Sequence, residues 1–324
     1  MEKLLTVSIA AYNVAPYIRE TLESVIHPDC IDALEILVVD DGGTDETLQI
    51  VKAYEEKYPN SVFGVHKENG GYGSVINTTI RRAKGKYFKQ LDGDDWFETE
   101  NMPAFVELLG KLDADYVVTP MRMINESDGK EVIRDYFAEL PEGEYPFDEM
   151  DFQQISPMHC SAFRTRLLQE HEITLTEHCF YTDVELVNRP VPYLETVYIW
   201  HKPVYVYRVG REGQSVSKTG VRKHYREHET VFWNLLRIYQ SLSPEQIAKR
   251  QFIRRRLVKE TAAQMKYYCY LERGKGPHQE LKAFGQRLWA EAPEILQAAE
   301  AYSRLVKLMV KSHYAAYHLA AWLL

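Results

Sequence analysis

Three acids, Asp92, Asp94 and Asp95, fall within four positions, after the strand-like stretch Phe88-Lys89-Gln90-Leu91 and before Trp96 and Phe97. Like charges a few Å apart repel unless something neutralises them, and a hard divalent cation does so. Mg²⁺ or Mn²⁺ is held by one or two carboxylates, with phosphate oxygens and waters completing the sphere. Gly93 between the acids allows a tight turn and the close approach of a bulky ligand. Asp92 and Asp94 are therefore read as candidate metal ligands. A solvated Asp-Gly turn between a strand and a helix is the plain alternative.

The flanking sequence is what must position these acids. Leu4 to Ala11 reads as a buried strand ended by Tyr12-Asn13, and Pro16 suits the first turn of a following helix. Leu34 to Val39 reads as a second strand, ending in Asp40-Asp41-Gly42-Gly43, with Thr44 to Thr47 capping the next helix. Val62 to Val65 is a third strand, Asn69 to Gly73 a flexible loop, and Val75 to Ala83 a helix. Strands alternating with helices across short loops predict an α/β fold with a mostly parallel sheet covered on both faces. In such sheets ligands bind beyond the carboxyl ends of the strands. Tyr12, Asp41 and Asp92 to Asp95 all fall at such ends.

After about residue 115 the pattern changes. Tyr116 to Thr119 reads as a strand, Met121 to Tyr145 as a β excursion or lid, and Tyr181 to Leu186 as the opening of a helix. Val197 to Trp200 and Pro203 to Arg208 resemble paired strands, followed by a loop through Gly213 and Ser215. A boundary at 220/221 separates this domain from a helical region, residues 221–324. There Ser243-Pro244-Glu245-Gln246 has the form of a capping box opening a helix. Gly274 to Pro277 separates two further helices. The last segment sets Leu305, Leu308, Met309, Leu319 and Leu323 beside Lys307 and Lys311. Packing on its own domain or on a second subunit is favoured there over a membrane surface.

With 45% hydrophobic and 27% charged residues, the chain has the composition of a folded globular protein. Its formal net charge of −8 argues against a nucleic-acid binder. Cys30, Cys160, Cys179 and Cys269 form no CxxC pair, which suits reduced thiols in a cytosolic protein without a zinc framework. The N-terminus does not read as a signal peptide, and no run of about eighteen apolar residues offers a membrane span. The expected location is the cytoplasm.

Four motifs in one order give a resemblance. Val7-Ser8-Ile9-Ala10-Ala11-Tyr12-Asn13, Val38-Val39-Asp40-Asp41-Gly42-Gly43-Thr44-Asp45, Asn69-Gly70-Gly71 and Leu91-Asp92-Gly93-Asp94-Asp95 resemble the family 2 nucleotide-sugar glycosyltransferases. The likeness covers about the first 215 residues. It implies the GT-A fold, a Rossmann-like sheet with helices on both faces, and inverting transfer from a nucleotide-diphosphate sugar, a UDP-sugar foremost. By position, Tyr12, flanked by Ala11 and Asn13, resembles the residue against the nucleotide base. Asp41, beside Asp40, resembles the acceptor for the base ring nitrogen. Asn69 and Gly71 complete the implied donor pocket. Asp92 and Asp94, with Gly93 between them, resemble the Asp-x-Asp pair that holds Mn²⁺ or Mg²⁺ and, through it, the diphosphate. Asp95 would orient that pair or touch the sugar. Gly43 stands where the family usually has Ser, and Thr44 or Asp45 could supply the missing cap.

Inverting transfer also needs a base on the acceptor hydroxyl. Asp183 matches the place of the family's Glu-Asp helix start, with Thr182 in place of the Glu, and Glu185 is the reserve. Asp183 as a simple helix N-terminal charge is the bland alternative. Arg208 with Ser215 and Ser217 resembles the family's late phosphate-binding segment, which would stabilise the leaving diphosphate. His224 as a further metal ligand and His159 as an acceptor-site residue have weaker grounds.

The resemblance implies a glycan or lipid-linked acceptor in bacterial envelope synthesis, with peripheral contact at the inner membrane face or a homodimer through the C-terminal helices. A sugar-nucleotide pyrophosphorylase would show a basic Gly-rich loop where Tyr12-Asn13-Val14-Ala15 stands. A degenerate sugar-binding protein would be expected to lack Asp92, Asp94 or Asp183.

Overall fold

The computed structural model describes residues 2–210, 218–271 and 274–324. The chain forms two compact units, Met1–Arg211 and Glu212–Leu324. The first opens with β1 (Leu5–Ala11), α1 (Ile18–Val25), β2 (Leu34–Asp40), α2 (Thr47–Lys57), β3 (Val62–His66), α3 (Tyr72–Arg82) and β4 (Tyr87–Asp92). β2 is buried along its whole length and β1 nearly so, as strands covered on both faces must be. Then follow β5 (Trp96–Phe97), α4 (Met102–Lys111), β6 (Tyr116–Val118), β7 (Met121–Asn125), β8 (Glu131–Arg134) and β9 (Gly143–Pro146). The unit closes with β10 (Ser161–Arg164), α5 (Thr165–Glu170), α6 (Asp183–Asn188), β11 (Thr196–Ile199) and β12 (Tyr205–Val209).

Eight strands make one mixed sheet in the order β3-β2-β1-β4-β10-β6-β11-β9, and β5-β12-β7-β8 make a smaller one. The first four strands pair in parallel, so β1, β2 and β4 end at one edge, and β10 runs antiparallel to β4 beside them.

The paired strands predicted at 197–208 are corrected. β11 pairs with β6 in the large sheet, whereas β12 pairs with β7 in the small one. Residues 116–125 and 196–209 run side by side, and both pass from one sheet to the other at a proline, Pro120 and Pro203. Proline lacks the N–H that a continuous ladder requires.

The second unit holds α7 (Lys218–Ser241), α8 (Ile247–Tyr270), α9 (Lys275–Glu291), α10 (Pro293–Tyr302), α11 (Arg304–Lys311) and α12 (Tyr317–Leu323). α7 and α8 form its long antiparallel pair, with His228 buried between them against Gln264 and Glu260. Phe284 of α9 closes over Phe232 and Trp233. α8 starts later than its capping-box sequence predicts: the Ser243 N–H donates to Gln246 Oε1 at 3.0 Å, but Gln246 has ψ 60° and helix begins only at Ile247. Among the described residues no helix is long and apolar enough to cross a membrane.

Candidate active site

Two loops at the edge of the large sheet are stapled together by side chains from the first two motifs. Asn13, held at φ 53°, accepts through Oδ1 from the N–H groups of Thr44 and Asp45. Asp45 accepts in turn from Ala15 N and Thr47 N, both at 3.0 Å, and so caps α2 in place of a residue-43 hydroxyl. Gly43 has its own reason to be glycine, since a Cβ there would stand 2.5 Å from Asp40 Oδ1. Asp40 is buried and receives Gly43 N and His66 Nδ1. Tyr12 remains 55% exposed beside this staple.

Asp41 is buried and heavily bonded. Oδ1 accepts from Lys67 Nζ at 2.6 Å and Gly70 N at 2.9 Å, while among the described residues Oδ2 accepts only Gly71 N, at 2.8 Å. One lone pair of Oδ2 is left for a ligand donor, because a carboxylate has about four acceptor sites. Asn69 Nδ2 donates to the Asp41 carbonyl.

The segment predicted as a flexible loop at 69–73 is instead a docking surface. A Cβ on Gly73 would lie 2.2 Å from the Thr176 carbonyl, and one on Gly71 would meet the His178 backbone at 3.2 Å. The glycines therefore let residues 176–178 lie directly on the start of α3. His178 N donates to Gly70 O at 2.5 Å. Tyr181 at φ 64° then turns the chain into α6, whose first residue is Asp183.

That turn brings Asp183 to the acid cluster. Burial, and then the charge of Asp183, push the Asp92 carboxyl up to about 6. Tyr72 donates to Asp92 Oδ1 at 2.6 Å, and the Asp92 N–H donates to Tyr205 OH. Tyr205 in turn donates to Asp95 Oδ2 at 2.7 Å, so one phenol joins two acids. Asp95 is pushed up to about 8 by burial and by Asp92, and its Oδ1 accepts Arg208 N. His159 lies edge-on to Tyr205 and beside Tyr207. Burial and Lys89 hold its imidazole down to about 3, and its Nδ1 is buried without a hydrogen-bond partner.

Asp92, Asp95 and His159 each place one potential ligand atom within 4.8 Å of the others. Buried acids that resist ionisation and an orphaned neutral imidazole fit a divalent cation such as Mn²⁺, which accepts carboxylate and imidazole ligands. Asp94 lies half-buried next to this set, and its carbonyl accepts from Arg208 Nε. Gly93 is required by packing, because a Cβ would stand 2.6 Å from the Ala10 carbonyl.

Other sequence candidates behave differently. The reserve base Glu185 is buried and fully engaged by Thr176 N, Thr176 OH and Arg189, which makes it a brace for the 176–183 turn. The Arg208 guanidinium pairs with Glu20 and Glu126 and lies over Trp96 at 4.5 Å. His224 belongs to the second unit, where it contacts Glu227. Ser215 and Ser217 lie outside the described residues.

Tyr72, Tyr205, Lys67 and Lys89 were not singled out from sequence. Lys89 is wholly buried, its ammonium donates to the His159 carbonyl at 2.8 Å, and burial drives it down to about 7. An alternation of Val204, Tyr205, Val206 and Tyr207 on one strand is the only signal that pointed to any of them.

A doubly covered sheet with carboxylates and a staple of polar loops at its strand ends is the GT-A architecture. Residues 6–172 match glycosyl transferase family 2, and the chain belongs to that family. An uncharacterised glycosyltransferase of Mycoplasma pneumoniae is 29% identical over 66% of this chain and 70% of its own length. The poly(ribitol-phosphate) β-N-acetylglucosaminyltransferase TarS of Staphylococcus aureus is 27% identical over 67% of this chain, which spans only 37% of TarS. The crystal structure of S. aureus TarS 1–349 in complex with UDP shares the fold, with a TM-score of 0.70 at 20% identity, covering 97% of this chain and 90% of that one. The protein is a family 2 glycosyltransferase, similar also to the minor teichoic acid biosynthesis protein GgaB of Bacillus subtilis, at 27% identity over 70% of this chain and 25% of that one.

Proposed function

We propose that the protein transfers a sugar, with inversion, from a UDP-sugar to a hydroxyl of an envelope glycan or its lipid-linked precursor on the cytoplasmic side. The observation that carries this reading is the convergence of Asp92, Asp95 and Asp183, three acids from two distant segments, at the edge of the sheet where β2 also ends before Asp41. The UDP named with the TarS structure supports a uridine donor.

In this reading Tyr12 packs on the base and the open lone pair of Asp41 Oδ2 receives the base ring N–H. Ala11, Asn13, Asn69 and Gly71 shape that pocket, with Asp40 bracing it through Gly43. Asp92 with Asp94 holds a divalent cation in the donor complex, and Asp95 with His159 offers the alternative partners of Asp92. Bound there, Mn²⁺ or Mg²⁺ neutralises charge on the diphosphate. Asp183 takes the acceptor hydroxyl proton while that oxygen bonds to the anomeric carbon; the bond to the diphosphate breaks and its electron pair leaves with the phosphate. Arg208 holds the Asp94–Asp95 loop through the Asp94 carbonyl, and Ser215 and Ser217 are assigned to the leaving phosphate.

Calorimetric titration with UDP and GDP, with and without Mn²⁺, tests the reading. Mn²⁺-dependent binding of UDP is expected. Failure of both nucleotides to bind in the presence of metal would overturn the donor assignment.

A further inference from the structure

The helical unit contains a cavity of about 440 Å³ that no step above uses. One wall is a single face of α8, Lys259, Ala262, Ala263 and Lys266, spaced so that all four line up. Leu305 and Leu308 of α11 and Leu323 of α12 face them. The alanines leave the width, the leucines make it greasy, and the two lysines supply the charge. No acidic side chain lines it, and neither lysine forms an ion pair among the described residues. Burial, and then Arg256, disfavour the Lys259 proton, a condition that a bound anion relieves.

α12 is apolar on the side that it turns away from the bundle as well. Leu319 and Trp322 are 57% and 65% exposed, while Tyr317, Ala320 and Ala321 on the same helix are buried; Leu323, at the mouth of the groove, is 66% exposed. A helix apolar all round is normally covered on all sides. A second cavity of about 260 Å³ borders α12, with Lys218 and Arg222 at its wall and no acidic side chain among the described residues that line it. Beyond Glu300 the chain has no acidic side chain, against a net charge of −8 for the whole. An apolar surface rimmed by cations is complementary to an anionic amphiphile, whereas pairing this face with its own copy would set lysine against lysine.

We propose that this face docks on an anionic membrane: α12 enters the interface with Trp322 and Leu323, the groove takes an acyl chain, and Lys259 and Lys266 hold the lipid phosphate. This site is independent of the donor-site reading.

The test is co-sedimentation of the full chain with phosphatidylcholine vesicles, with and without phosphatidylglycerol, at low and high salt. Salt-sensitive binding to the anionic vesicles is expected, falling roughly five-fold or more for Lys266→Glu, whose side chain is exposed. Ala263→Trp, which fills the groove, should weaken binding at unchanged charge; should its melting curve reveal misfolding, Leu308→Ser on the exposed rim gives the same readout. Equal binding to neutral and anionic vesicles, or none to either, overturns the proposal. So does a dimer in sedimentation equilibrium that Leu308→Ser dissociates.

Discussion

The two units depart from the usual partition of polar and apolar groups in opposite directions. In the sheet unit Asp95 and Lys89 are buried and Asp92 half-buried, and each is displaced toward its neutral form. In the helical unit Trp322, Leu319 and Leu323 are left in water. Buried charge costs free energy unless it is paired, and exposed apolar area costs it unless it is covered. On the proposals above, a cation and a phosphate would complete the sheet unit, and an apolar phase the helical unit. Charge recruits in the first, surface area in the second.

The largest break of this contrast is at Asp183. Asp183→Asn should lower transfer about 10²- to 10⁴-fold in single-turnover kinetics while UDP affinity stays within roughly two-fold. Loss of UDP affinity instead would remove Asp183 from the base role.

Next comes the cation. Asp94→Asn and Asp95→Asn should each be titrated with Mn²⁺ and UDP: loss of Mn²⁺-dependent binding, about ten-fold or more, in the Asp94 variant alone supports the Asp92–Asp94 pair. Loss in the Asp95 variant alone would move the cation to Asp92, Asp95 and His159.

A smaller effect is the pH dependence of stability. Asp92 rises from its ordinary 3.8 to about 6 and Asp95 to about 8, so both bind more protons folded than unfolded. Their contribution is present at low pH and is lost as pH rises from about 4 to about 8. A cation displaces those protons. Mn²⁺ should therefore raise Tm by roughly 5 °C at pH 8 and by clearly less at pH 6; a shift that is independent of pH would contradict this.

Tyr205→Phe removes the phenol shared by Asp92 and Asp95, and should cost about 1–3 kcal/mol in urea unfolding. The smallest effect is expected at the helical face: Trp322→Ser should change unfolding free energy by no more than about 0.5 kcal/mol.

What was legible in the sequence was local. Asp40-Asp41 and Asp92 to Asp95 each begin on the last residue of a buried strand, and a parallel sheet carries strand ends to one edge without further information. The partners of those acids were not legible, because they arrive from remote segments. Tyr205 reaches Asp95 across 110 residues, and Asn77 holds the Leu175 backbone across 98. Glu185 resembled a base because its position suited one; only packing reveals that Thr176 and Arg189 occupy it. The glycines at 70, 71 and 73 suggested mobility, whereas each is small because another chain segment or side chain lies against it. The pairing of 197–208 failed for a comparable reason, since a proline between two apolar runs permits a change of sheet as readily as a hairpin.

The passage of residues 116–125 and 196–209 through both sheets has a kinetic consequence. β12 delivers Tyr205 to Asp95 through its pairing with β5 and β7, contacts that close loops of about a hundred residues. Loop closure of that length precedes any gain from the contacts it allows. The β3-β2-β1-β4 half is then expected to assemble early, with the acid cluster completed in the slowest folding phase. Newly made chains would thus acquire their sheet well before they acquire their chemistry.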